Sequence, residues 1–588
     1  MILQALTSLY EALAQKGEIS KEGWSREKIS FALSIDEEGN LLRVTPLFDT
    51  VDGPKGKTRE VPQKMTVPAA VKRTSGAAAN FLWDNSSYIL GVSLKKGEDD
   101  AEREKRRNKD IKCFEACREF HHSMLDGMEY PAAKAVLNFL DKWEPQKAEE
   151  NNLVAQYAKE ILSGANMVFR FNGGYVHDDP QLASVWQKAN AKQKDNIGQC
   201  LVTGALDEIQ KTHPTIKGVQ GAQSSGAALV SFNASAFCSY NKEQNQNAPV
   251  GKYAAFAYTT ALNHLLADRK NVHRIGDAAV VCWAENADKQ YEDFAAEVFF
   301  GDNVDKSDEQ RLSALRTSLK LLADGLPCKE MDLDPDRKFY ILGLSPNAAR
   351  IAVRFFYCDS FGKIAGNIYK HHERLEIVRP SYDKFPILPL WKLLSATVNP
   401  NAKDKTPNAA MAGAVARAVF SGGRYPASLL ECTFLRIKAE RNITRERAAI
   451  IKAYYLRNPN EKCPKEVLTV SLNENSKNIP YTLGRLFSVY EEIQQAANPG
   501  INTTIKDRYF GSAAAMPATV FPILSNLAQK HLRKLSDAQR VYLDKKVMTL
   551  KSVLGEQYPA HMSLPEQGSF DLGYYHQTQA RYTKKEDK

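Results

Sequence analysis

The stretch IVRPSYDKFPILPL, residues 377–390, decides the fold class. It holds three prolines. Proline lacks a backbone donor and interrupts both helices and central strands, so this spacing predicts a boundary. Before it, FYILGLSP (339–346), RIAVRFFY (350–357) and AAVVCWA (278–284) read as strands. After it no convincing strand pattern occurs. Helical periodicity instead recurs near 407–419, 426–440, 443–457, 480–497, 517–533 and 536–553, and the polar tail from Pro559 reads as frayed. The expected class is α+β, a mixed α/β N-terminal half followed by an all-α C-terminal helical bundle.

Working outward toward the N-terminus, residues 1–16 form an amphipathic helix with Leu3, Leu6, Leu9, Tyr10 and Leu13 on one face. ISFALSIDEEGNLLRVTPL (29–47) alternates about Glu38-Gly39-Asn40 and predicts a hairpin, and GPKGKTREVPQKMT (53–66) reads as a basic loop. FLWDNSSYILGV (81–92) predicts two strands about Asp84–Ser87. The charge run 95–110 reads as a solvated helix start or loop. Residues 110–215 are mostly helical by period, with a break near 170–179. Residues 216–250 lose period, 253–268 regain it, and helices follow near 288–299 and 308–323. The expected domains are 1–376 with a helical insertion at about 100–215, a helical connection over 377–470, and a helical bundle over 471–588.

Composition narrows the class. The chain has 588 residues, 43% of them hydrophobic and 25% charged, with a formal charge of +10. No apolar run reaches the ~18–20 residues a membrane helix needs, and the N-terminus lacks the basic region and cleavage site of a signal peptide. Nine scattered cysteines, an odd number, fit reduced thiols in a cytosol better than a disulfide framework. The charge excess permits an anionic partner without naming one.

Enzyme motifs fail on spacing. Gly56-Lys57-Thr58 lacks the earlier glycine of a P-loop, since position 51 is Val. Gly218, Gly221 and Gly226 do not have dinucleotide spacing. Cys113, Cys117, His121 and His122 share near-helical spacing, but neither they nor His371-His372-Glu373 match a zinc motif. No catalytic residue, metal or cofactor is expected.

Two segments suit nucleic acid. Lys72, Arg73, Thr74, Ser75 and Gly76 combine cations, hydroxyls and a permissive glycine, which suits a phosphate, while Asn80 and Asn85 carry amides of the kind that read base edges. The plain alternative is a surface turn. The second segment strings Gln223, Ser224, Ser225, Asn233, Gln244, Gln246 and Asn247 through an apolar frame. Uncharged amides match the donor and acceptor pattern of bases. Phe232, Phe237 and Tyr240 suit either a core or a wedge at a base step, and a loop held by its own Asx turns is the alternative reading. In the helical half, Arg441, Arg445, Lys452, Lys530, Arg533 and Lys534 are dispersed cations. They read either as a solvated face or as a groove for a single strand.

KRTSG (72–76), FLWDNSSYILG (81–91), QSSGAALVSFNASAFCSYNKEQNQNAPV (223–250) and AAVVCWAE (278–285) closely resemble the large subunit of the type I-C CRISPR interference complex, the Dvulg-subtype Cascade. The likeness runs over essentially the whole chain. It implies a non-catalytic subunit in a prokaryotic cytosol, near the 5′ end of the guide RNA and beside the backbone and 5′-handle-binding subunits. Such a subunit recognises a protospacer-adjacent motif in double-stranded DNA, promotes strand opening and R-loop formation, holds the displaced strand and helps recruit the helicase–nuclease. The resemblance further implies a small helical subunit made from an internal start in the same gene. No Met lies between Met411 and Met516, so a start near 470 needs a non-AUG codon such as one now read as Val467 or Val470. A guide-repeat-processing ribonuclease and a purely architectural subunit are the alternatives.

Overall fold

A computed structural model describes residues 1–52, 58–71, 73, 77–95, 97, 99–191, 196–301, 309–383 and 385–582. The chain forms two compact units. One contains 3–213 and 232–261, and the other contains 214–231 and 262–588. The stretch 377–390 thus lies inside the second unit.

The first unit opens with helix Ile2–Gln15 and is built on strands β1 (Trp24–Ile29), β2 (Phe31–Ile35), β3 (Leu41–Pro46), β4 (Phe48–Asp52), β5 (Thr58–Pro68), β6 (Trp83–Asn85), β7 (Asn166–Phe171) and β8 (Gly174–Tyr175), with a small pair β9 (Ile197–Gln199) and β10 (Leu206–Glu208). The main sheet runs β3-β2-β7-β6, with β8 also on β7. β2 and β3 form the expected hairpin, whereas β2 and β7 run parallel. That parallel pair needs a long crossover, which helices Asp100–Leu125 and Pro131–Lys142 supply. Phe31, Leu33 and Phe169 meet Cys117, Val136 and Phe139 in one core, and Ala32 and Val168 meet Ile29, Val67 and Trp83 in another.

Three local expectations are corrected here. Residues 58–66, expected in a loop, belong to β5. Its first half pairs with β4 up to Pro62 opposite Phe48, and its second half pairs with β1 from Gln63 opposite Ile29. Pro62 sits where the partner changes, so its missing N–H interrupts neither ladder. Residues 86–89, expected in a second strand, are a helical turn capped by Asn85. The expected helical insertion is interrupted by β7, whose Met167, Val168 and Phe169 are buried on both faces and therefore do not alternate.

In the second unit an antiparallel sheet runs β11 (His273–Ile275), β12 (Ala278–Ala284), β13 (Lys338–Asn347) and β14 (Arg350–Ser360). Val280, Cys282, Phe339 and Ile341 share a continuous core with helices Glu309–Ala323, Phe361–Leu375, Ala409–Ser421, Ala427–Glu440 and Arg445–Arg457. Helices Ile479–Ala497, Ile505–Ala515, Pro517–Leu532, Asp537–Leu554 and Leu564–Ala580 follow. From 390 to 580 the described residues are all helical or connecting. The tail read as frayed contains the most enclosed of these helices. Residues 567–577 of Leu564–Ala580 are all buried, and a helix buried on every side shows no amphipathic period. It crosses Ile479–Ala497 at Gly484 and Gly573. A Cβ on Gly484 would lie 2.0 Å from the Phe570 carbonyl oxygen, and one on Gly573 would lie 2.1 Å from that of Tyr481.

Candidate nucleic-acid interface

In the first unit the chain between β5 and β6 is held by one buried carboxylate. Asp84 is 1% exposed and accepts from the backbone N–H groups of Asn80 (2.9 Å) and Asn85 (2.8 Å). It also pairs with the Arg73 guanidinium. Burial pushes the Asp84 carboxyl up, while these hydrogen bonds and Arg73 oppose that shift. Arg73 Nε donates to the Ala78 carbonyl at 2.8 Å, and the guanidinium lies 3.9 Å from the centre of the Tyr88 ring.

Asn80 is buried, and its side-chain oxygen accepts from Val71 N–H at 2.9 Å. Asn85 caps helix Ser86–Ile89 by accepting from Ser87 N–H at 3.0 Å. Leu82 has φ of +62° and donates its N–H to His121 Nε2 at 2.9 Å. His121 Nδ1 lies 2.7 Å from the Cys117 carbonyl oxygen. Burial lowers the His121 pKa to about 4, so the ring is neutral and its Nδ1–H donates. Asn80 therefore acts inside the loop rather than on a ligand. Arg73, at 29% side-chain exposure, keeps one partly open cation here. Lys72, Thr74, Ser75 and Gly76 lie outside the described residues, as do Gly56 and Lys57.

The second segment is divided between the units. Gln223, Ser224 and Ser225 sit on an exposed turn of the second unit, closed by Gly226 N–H to the Gln223 carbonyl at 2.9 Å. In the first unit, Asn233, Gln244 and Gln246 are exposed. Asn247 works as a clasp. Its oxygen accepts from Ser239 N–H at 2.8 Å, and its Nδ2 donates to the carbonyls of Lys242 (2.8 Å) and Gln244 (2.9 Å). The clasp holds three residues with positive φ, Tyr240 (+53°), Asn241 (+55°) and Gln244 (+45°). Asn tolerates the left-handed region, but a tyrosine there costs of order 1 kcal/mol.

Tyr240 is 95% exposed, so packing does not recover that cost, and Phe237 is 42% exposed. Exposure removes the core reading for Tyr240, and the Asn247 clasp fits the reading of a loop that holds itself. The sequence marked this ring only as one of two possibilities. The four-residue polar turn SYNK (239–242) around it was the available signal.

The helical cations divide sharply. Arg441 is exposed and ends helix Ala427–Glu440 with φ of +52°. Lys530, Arg533 and Lys534 are exposed at the end of helix Pro517–Leu532 and just beyond it. Arg445 and Lys452 are corrected from candidate strand holders to internal struts. Arg445 is 7% exposed and bonds to Asp383 Oδ2 (3.0 Å) and the Pro386 carbonyl (3.2 Å). Lys452 is 3% exposed and donates to the Arg374 carbonyl at 3.1 Å, with burial lowering its pKa to about 8. Arg445 braces the connection that follows helix Phe361–Leu375, and Lys452 the last turn of that helix.

Among the described residues, no group of three or more His, Cys, Asp or Glu side chains is placed to hold a metal. Burial raises the Cys113 and Cys117 thiols. His122 sits between Asp126 Oδ1 (2.8 Å) and Asp141 Oδ1 (3.0 Å). No helix among the described residues is long and apolar enough to cross a membrane.

The α+β scaffold thus spends polar groups on holding surface loops in place. The chain belongs to the CRISPR-associated Cas_Csd1 family, whose model matches residues 6–582. That membership makes it a Cascade-type CRISPR-associated subunit, working with other Cas subunits. No curated protein matches the chain.

Proposed function

We propose that this protein is the non-catalytic large subunit of a type I-C surveillance complex, reading a protospacer-adjacent motif in duplex DNA and starting strand opening. The observation that carries the reading is the clasped turn 239–244, which exposes a strained tyrosine among amides. Opening one base step costs about 0.6–2.2 kcal/mol. A ring stacked on a freed base contributes about 1–3 kcal/mol, enough to offset the first step.

In this reading Gln223, Ser224, Ser225, Asn233, Gln244 and Gln246 supply base-edge or backbone hydrogen bonds. Arg73, with Lys72, Thr74, Ser75 and Gly76, meets phosphate. Arg441, Lys530, Arg533 and Lys534 guide the displaced strand. The guide RNA supplies the long sequence match, the backbone and 5′-handle-binding subunits flank its 5′ end, and the opened DNA is presented to the helicase–nuclease. The test is selection of duplexes randomised beside the protospacer by the assembled complex, with and without this subunit. Motif preference that depends on the subunit supports the reading, and preference that survives its removal defeats it.

The architectural alternative draws on the mutual bracing of Arg73, Asn80, Asp84 and Asn85. It expects substitutions at 239–246 to leave motif preference intact. The ribonuclease alternative gains nothing from His121, whose nitrogens are both engaged inside the fold. We also propose that residues from about 470 serve as a separate small subunit. N-terminal sequencing of a co-purifying fragment is expected to begin at or beside Val467 or Val470. A fragment starting far from there, or none, contradicts it.

A further inference from the structure

The outer face of β1 and the second half of β5 carries like charges that face one another without a carboxylate partner for either lysine among the described residues. Antiparallel register sets Lys28 directly opposite Lys64 and Arg26 directly opposite Thr66. Directly opposite residues share a face of the sheet, and residues two apart repeat on it. The four side chains therefore form one block, its two pairs about 7 Å apart, and all four are exposed.

The alternate residues Ile29, Met65 and Val67 pack against Ala32, Leu47, Trp83 and Val168. That fixes which face is core and which is solvent. Among the described residues neither lysine has a carboxylate partner. Glu27 lies opposite Met65 and so on the core-side face. Glu60 shares the outer face but lies about 13 Å further along β5. Arg26 donates to the Glu18 carbonyl at 3.5 Å.

Like charges directly opposite each other destabilise a strand pair. Thr is a strong strand former that would remove the repulsion at either lysine. A local rule broken without a return inside the fold points to a return outside it.

We infer that this face binds the phosphodiester backbone of duplex DNA. The chemistry is three cations and a hydroxyl on a rigid sheet, suited to phosphates and blind to sequence. The block exposes no ring on which a single strand would stack. Trp24, the aromatic residue on the same face, packs into the core of the first unit. The choice of DNA rests on the proposed reading, and the face would grip the duplex flanking the motif while the loops read it.

The test compares the full chain with its Lys28→Thr/Lys64→Thr variant. Binding to a DNA duplex, a DNA single strand and an RNA single strand is measured across a salt series, with a thermal melt of each protein. The expected result is roughly tenfold weaker duplex binding, a salt slope smaller by about two, unchanged single-strand binding, and a melting temperature at or above that of the natural chain. Lys64→Glu, which gives Lys28 an opposite charge, should raise the melting temperature and weaken the duplex further.

An unchanged duplex slope overturns the inference, and so does an equal loss on single strands. A lower melting temperature in both variants overturns the claim of uncompensated repulsion. Retained motif preference with an unchanged slope defeats this inference alone. Absence of any motif preference in the assembled complex defeats the proposed function.

Discussion

Gly484→Ala and Gly573→Ala each destabilise the protein by about 3–5 kcal/mol and lower its melting temperature by about 5–15 °C. Two effects compete at these positions. Alanine in a helix interior is favoured over glycine by about 1 kcal/mol, which alone would stabilise both variants. Against that, the added methyl would stand 2.0 Å from the Phe570 carbonyl oxygen or 2.1 Å from that of Tyr481. Those are backbone atoms, so no rotamer change relieves the clash, and the two helices must part.

Parting them opens contacts around Phe487, Phe570 and Tyr574, whose rings cluster at the crossing. Gly511 is the internal control. It lies in helix Ile505–Ala515 with nothing within 4 Å of an added Cβ, so Gly511→Ala should stabilise by up to about 1 kcal/mol. Chemical denaturation of the three variants checks the account. Equal responses at all three glycines would contradict it.

Tyr240→Ala slows duplex opening by the assembled complex by about 10–100-fold, the kinetic equivalent of 1–3 kcal/mol of lost stacking. DNA already opened at the first pairs is bound as before. Tyr240→Phe retains most of the rate, because the ring and not the hydroxyl is required. Tyr240→Gly separates fold from function, since it relieves the strain at φ of +53° and so leaves the chain as stable or slightly more stable. It still opens DNA as poorly as the alanine variant. Stopped-flow fluorescence of a base analogue beside the motif reads this directly. Natural opening rates in both Ala and Gly variants would exclude a wedge at this position.

Much of the architecture was legible because the core writes periodicity into sequence. The alternation of 29–47 and the apolar runs 278–284, 339–346 and 350–357 correspond to β2, β3, β12, β13 and β14. The 3.6-residue stripes after 390 correspond to helices. The misses share a cause, which is that periodicity vanishes when burial is not one-sided. β7 is covered on both faces, and helix Leu564–Ala580 is enclosed all round, its sequence of glycines and polar residues resembling a loose tail. β5 was hidden by Pro62, whose harmlessness depends on where its strand changes partners.

Within the candidate site, residue type marked segments but not the roles that individual residues take in the fold. Asn80, Asn85 and Asn247 offered base-reading chemistry. The fold uses Asn80 to hold Val71, Asn85 to cap a helix and Asn247 to clasp the turn around Tyr240. Arg445 and Lys452 looked like surface cations because charge is visible in a sequence and burial of a paired charge is not. Which amide faces inward is decided by partners distant in the chain, such as His121 for the backbone of Leu82.

The central claim is that this subunit makes the complex read DNA beside the protospacer. Selection of randomised flanks by the assembled complex tests it most directly. The account predicts a sharp base preference at the first few flanking positions that disappears when the subunit is omitted and weakens with Tyr240→Ala. An equally sharp preference without the subunit would contradict it.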